Sequence, residues 1–97
     1  MKEYIFFMHN DSPLGENENW VPYIEMLQAS GHFKGGSVIG GGACVRKQGV
    51  TPSISSHLSG FIRVEAQDLA DAHGLLPGNP VFEAGGTVEI RELPRTG

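Results

Sequence analysis

Cysteine is all but absent. Cys44 is the single one in 97 residues, so no disulfide can close within the chain, which fits a reducing compartment. Clusters of basic charge are missing too. Seven Lys and Arg stand against eleven Asp and Glu, for a net charge of −4, and nowhere do they gather. The electrostatic footprint of a nucleic-acid partner is therefore lacking, and a small acidic charge mainly favours solubility. The longest apolar run near the start, Tyr4 to Met8, is far short of the roughly 20 residues of a membrane-spanning helix. No basic, apolar and small-residue succession there marks a signal peptide. Nor is there a P-loop or a GxGxxG between strand and helix. The four histidines lack paired cysteines or an HExxH spacing. We expect a soluble, cytoplasmic protein with no metal, no cofactor, no nucleic-acid partner and no membrane contact.

Glycine is abundant. Many of the fourteen fall in Gly35-Gly36, Gly40-Gly41-Gly42 and Gly85-Gly86, set between apolar residues, where they read as bends and turns rather than a disordered tract. The length corresponds to one domain over residues 1–97. A chain this short buries only roughly 60–70% of the surface it exposes when unfolded, so association is a natural source of further stability.

Hydrophobic periodicity predicts the elements. Tyr4-Ile5-Phe6-Phe7-Met8 reads as a strand apolar on both faces. Turn formers from His9 to Glu18 follow. A helix is predicted from Asn19 to Ser30, because Trp20, Tyr23, Ile24 and Leu27 form one stripe. Asn19 or Asn17 is its N-cap and Gly31 its C-terminal cap. Val38 to Lys47 is β-like but glycine-rich, Gln48 to Pro52 reads as a hairpin connection, and Ile54 to Ala66 as the next strand. Asp68 to Leu76 is a short helix ended by Pro77-Gly78-Asn79-Pro80. Thr87 to Leu93 alternates as a half-buried strand does. The order β-α-β-β-α-β predicts an α+β fold of ferredoxin-like type, an antiparallel sheet with two helices on one face. The other face then carries either Tyr4, Phe6 and Met8 or Ile5 and Phe7 uncovered. Such a patch calls for a cover, and a second copy of the same sheet is the simplest one.

Four segments carry a family resemblance: Tyr4 to Met8; Leu27-Gln28-Ala29-Ser30-Gly31 with Gly35-Gly36; Gly60 to Ala66 leading to Asp68-Leu69-Ala70-Asp71-Ala72; and Asn79-Pro80 with Gly85 to Pro94. In these the chain resembles the YCII-related domains, a group that includes small proteins named for a D-G-P-F motif. The resemblance implies a ferredoxin-like protomer and a homodimer forming an α+β barrel through the sheet face. It also marks departures. In the branch of the family for which chemistry has been proposed, a His near the start of the first helix is paired with an Asp just before the late proline; here those positions hold Trp20 and Asn79. Gln48 to Ser53 stands in place of D-G-P-F. The family's fold carries over, and its acid–base pair does not.

Several residues could carry chemistry. His9 and Asp11 follow the first strand, where a carboxylate beside a histidine can hold its tautomer for general-base work; the alternative is a turn in which Asn10, Asp11 and Ser12 bond to backbone. By strand parity His57, Ser59, Phe61 and Arg63 face away from the helices, and Glu89 and Arg91 face the same way. Such a face could line a ligand cleft, or its charges could simply pair across strands. We take His9, Asp11 and His57 as catalytic candidates, and Trp20, Ser59, Arg63 and Arg91 as ligand contacts, the arginines suiting a small anionic organic ligand. His32 and His73 read as surface residues, and Cys44 as a small strand residue. Two functions remain open: a small-molecule-binding or accessory homodimer, and an enzyme of lyase, isomerase or dehalogenase type using acid–base chemistry.

Overall fold

The computed structural model describes residues 1–14 and 19–95. Strand β1 (Lys2–His9) lies inside a four-stranded antiparallel sheet of order β2-β3-β1-β4, with β2 at Phe33–Val38, β3 at Leu58–Ala66 and β4 at Val88–Leu93. That order, with the helices on one face, is the ferredoxin-like arrangement. Alternation along β1 decides the faces: Tyr4, Phe6 and Met8 are buried, while Ile5, Phe7 and His9 are half-buried on the other side. Register places Phe6 between Ile62 and Ile90, and Ile5 between Arg63 and Arg91, so β1, β3 and β4 share the same sidedness there.

Helix α1 (Trp20–Ser30) lays its stripe on the apolar face. Tyr23 and Leu27 are buried, and Trp20 and Ile24 pack at the margin. Complete burial of a side chain such as Leu27 stabilises by about 1.5–3 kcal/mol. Asn19 occupies the N-cap position, and Gly31 closes the helix at φ 79°, a left-handed conformation that costs glycine little. The alternative cap Asn17, with the turn residues from Gly15 to Glu18, lies outside the described residues.

Three predicted elements need correction. Phe33–Val38, not Val38 to Lys47, supplies the second strand, and no helix or strand forms over residues 39–57. Gly40-Gly41-Gly42 offers no side chain to pack, and Val45 and Val50 are exposed. The third strand accordingly begins at Leu58 rather than Ile54. The late helix is shorter than Asp68 to Leu76, α2 being Leu69–His73, and a further helix not predicted, α3 (Pro80–Glu83), starts within the expected terminator. Asp68 caps α2 by accepting from the Asp71 N–H at 2.8 Å, and Asp71 accepts in turn from the Gln67 N–H at 2.9 Å. Asn79-Pro80 ends one turn and starts another. Asn79 Oδ1 accepts from the Val81 and Phe82 N–H groups at 3.0 and 3.1 Å, while Pro80 supplies the fixed φ of a first helical residue.

Candidate functional site

At one end of the sheet a cleft of about 710 Å³ opens between the start of α1, α3 and the strand ends. Trp20 and Ile24 come from α1, Val81 from α3, and Met8 and Ile62 from the sheet; polar groups come from His9, Asn10, Ser12, Ser37 and Ser59. The helical spacing that buries Tyr23 and Leu27 leaves Trp20 and Ile24 half-buried along the edge. Trp20 is held edge-on to Tyr23, with ring centroids 6.2 Å apart at 66°. None of the lining residues is Asp, Glu, Lys or Arg. Several of the polar groups are already engaged. Asn10 Nδ2 donates to the Ser56 carbonyl at 3.0 Å, Ser59 Oγ to the Met8 carbonyl at 3.2 Å and Ser37 Oγ to the Val38 carbonyl at 3.0 Å. Within the described residues, no hydrogen bond engages Ser12 Oγ or the Trp20 indole N–H.

The β1–β3 register steps from the Met8–Gly60 pair to the His9–Leu58 pair, so the extra residue at this irregularity, Ser59, belongs to β3; His9 itself keeps the alternation of β1. Its Nε2 lies 3.0 Å from Glu89 Oε1, and its ring meets His57 edge-on, with centroids 4.8 Å apart. The hydrogen bond from His9, then that from Arg91 Nη1 at 3.2 Å, hold the Glu89 carboxyl below its usual range.

The sequence-predicted residues therefore divide. His9, Trp20 and Ser59 line the cleft. His57 is exposed and touches the His9 ring from outside the lining. Asp11 turns to the opposite neighbour: it accepts from Thr87 Oγ1 at 2.6 Å and from the Thr87 N–H at 2.8 Å, which lowers its carboxyl pKa. It thus ties the loop after β1 to the start of β4. Arg63 pairs with Glu3 at 3.0 Å and Arg91 with Glu89, both on the open face. Asn79 is fully buried. Among the described residues its Nδ2 has no hydrogen-bond partner, although the amide is close enough to act on the Tyr23 hydroxyl. Sequence reasoning missed Glu89 as the partner of His9 and Ile24, Ser12 and Val81 as cleft walls; the β1–β4 register, which joins residues 80 apart, was the signal needed. Among the described residues no three His, Cys, Asp or Glu side chains cluster as metal ligands, and no helix is long and apolar enough to cross a membrane.

No family model matches the chain, and no curated protein matches it. Among solved structures it is similar to a 5-chloro-2-hydroxyhydroquinone dehydrochlorinase from Burkholderia phenoliruptrix AC1100, in complex with 2,5-dihydroxybenzoquinone. The two share 14% identity over 97% of this chain and 95% of that one, with a TM-score of 0.57. At that identity the likeness is one of fold, and it agrees with the α+β architecture above.

Proposed function

We propose that the protein is a small-molecule-binding homodimer of the YCII-related kind, whose cleft takes a flat, largely apolar, uncharged organic molecule such as a hydroxylated aromatic. The observation that carries this reading is the cleft wall: an indole and aliphatic side chains with a few hydroxyl and amide groups, and no formal charge apart from what His9 can acquire. That is the usual composition of a small-ligand site, in which apolar area supplies affinity and a few polar groups supply orientation. The engaged arginines bear on the ligand's charge. Arg63 and Arg91 each already face a carboxylate, so an anionic ligand would have to displace Glu3 or Glu89. Among the described residues, Ser12 Oγ and the Trp20 N–H are donors without a hydrogen-bond partner and can orient a hydroxylated ring. That the dehydrochlorinase of similar fold holds a dihydroxybenzoquinone is compatible with such a ligand.

Trp20 is the single tryptophan and borders the cleft, so its fluorescence reports occupancy directly. Titration with a panel of phenols, catechols and hydroxyquinones should quench it saturably and raise the melting temperature of the same samples by mass action. Benzoate and alkyl phosphates should do neither. Binding of the anions with no response to any neutral aromatic would overturn the reading.

A further inference from the structure

We infer that His9, oriented by Glu89, is the proton-accepting group of the cleft, taking the hydroxyl proton of a bound hydroxyaromatic; this rests on the ligand reading just given. The pairing is a product of the fold. His9 ends β1, and Glu89 lies on β4 directly opposite Phe7. Side chains at i and j±2 on one face of an antiparallel pair come within reach of each other, and the ladder continues far enough to fix this one, the His9 N–H donating to the Thr87 carbonyl at 2.9 Å. As the last residue of β1, His9 stands at the end of the sheet, where it both lines the cleft and meets Glu89.

The tautomer follows from the partner. An ionised carboxylate only accepts, so the ring nitrogen facing it must donate. Nε2 therefore carries the hydrogen, and Nδ1 is left as a bare acceptor. Within the described residues Nδ1 has no partner. Charged and titratable groups around the ring are Glu89 and Arg91 on β4, Asp11 on the following loop and His57 ahead of β3. Of these, Glu89 alone bonds to the ring, and His57 restrains it edge-on. The step balances without a co-reactant. The ligand O–H bond breaks, its electron pair stays on oxygen, an N–H bond forms at Nδ1, and the resulting imidazolium is flanked by the Glu89 carboxylate and the new oxyanion. His9 is the catalytic group in this assignment, and Glu89 is a positioning residue.

Two measurements decide it. The first needs no ligand: long-range proton–nitrogen NMR of the histidine rings, with His9 identified by the signal lost in His9→Gln. We expect His9 as the Nε2–H tautomer, and a Glu89→Ala variant should lose that single form for a tautomer mixture. A predominant Nδ1–H form in the unmodified protein would overturn the inference whatever the cleft binds. The second uses p-nitrophenol below its own pKa, following Trp20 quenching and nitrophenolate absorbance together. The unmodified protein should show both, and at probe concentrations that saturate the quenching of each protein His9→Gln and Glu89→Ala should lose the absorbance. Quenching without nitrophenolate in the unmodified protein, or an equally strong band in His9→Gln, refutes proton transfer and leaves the binding site standing. No quenching by the probe or by the neutral aromatic panel removes the site, and the inference with it.

Discussion

The Tyr23 hydroxyl donates to the Leu75 carbonyl at 2.8 Å and so joins α1 to the turn after α2. Burial pushes its pKa up to about 12, against a smaller opposing influence of the Asn79 amide. The phenol is favoured over the phenolate because ionisation would place a charge among Leu27, Ala72 and Leu76 and would remove the donor. The sign of the linkage is fixed by that direction. The folded state holds the proton more tightly than the unfolded chain, whose tyrosines titrate near about 10. The contribution is complete below that pH and is lost as pH rises toward 12. Melting temperature should therefore decline across this alkaline window, and Tyr23→Phe should flatten the decline while lowering stability at neutral pH, where the Leu75 carbonyl loses its donor. A decline equally steep in Tyr23→Phe would assign it to other groups.

At the scale of elements, the strands differ in how far they could be read. β1, β3 and β4 alternate or are densely apolar, because they lie in the sheet with side chains packed on at least one face. β2 gave no such signal. Its sequence Phe33-Lys34-Gly35-Gly36-Ser37-Val38 has little to bury, and it is an edge strand held to β3 by backbone pairing. Gly36 shows why a side chain is missing there: a Cβ would come within 2.5 Å of the Phe61 carbonyl oxygen, a backbone atom that cannot swing aside. The cleft was legible only in part for the same reason. Trp20 could be placed by helical period and Ser59 by strand parity, while the His9–Glu89 pair depends on a β1–β4 register that only the assembled sheet defines. Gly36→Ala should push β2 away from β3 while leaving the central strands intact. Amide exchange should speed up for the β2–β3 rungs, including the Ile39 N–H that donates to the Ser59 carbonyl, and stay slow between β1 and β4. Unchanged β2 protection would mean that the edge yields without parting.

The molecule as a whole is thin and wide, with extents of 46 × 42 × 19 Å. Its radius of gyration of 14.9 Å exceeds the roughly 13 Å of a compact chain of about 100 residues. Helices cover one face of the sheet, and among the described residues no helix covers the other. That open face has Phe7 beside Phe61 near its middle, and around them Glu3, Arg63, Glu65, Glu89 and Arg91. Glu65 is held ionised by Lys34, and Arg95 approaches it at 3.6 Å. An apolar centre within a polar rim is the anatomy of a protein interface. The rim also carries both signs in alternation, so a two-fold rotation could set Arg against Glu, which a self-complementary contact requires. A lone protomer gains nothing from leaving Phe7 and Phe61 partly in water, whereas two sheets face to face would remove both pairs. Sedimentation at micromolar concentration should accordingly give twice the chain mass. Phe7→Asp should return the monomer with its circular dichroism preserved, since Phe7 points away from the buried face set by Phe6 and Met8. The dimer should survive Phe82→Asp, a change at an exposed aromatic on the helix side. A monomeric unmodified protein, or a dimer indifferent to Phe7→Asp and broken by Phe82→Asp, would move the interface off the sheet.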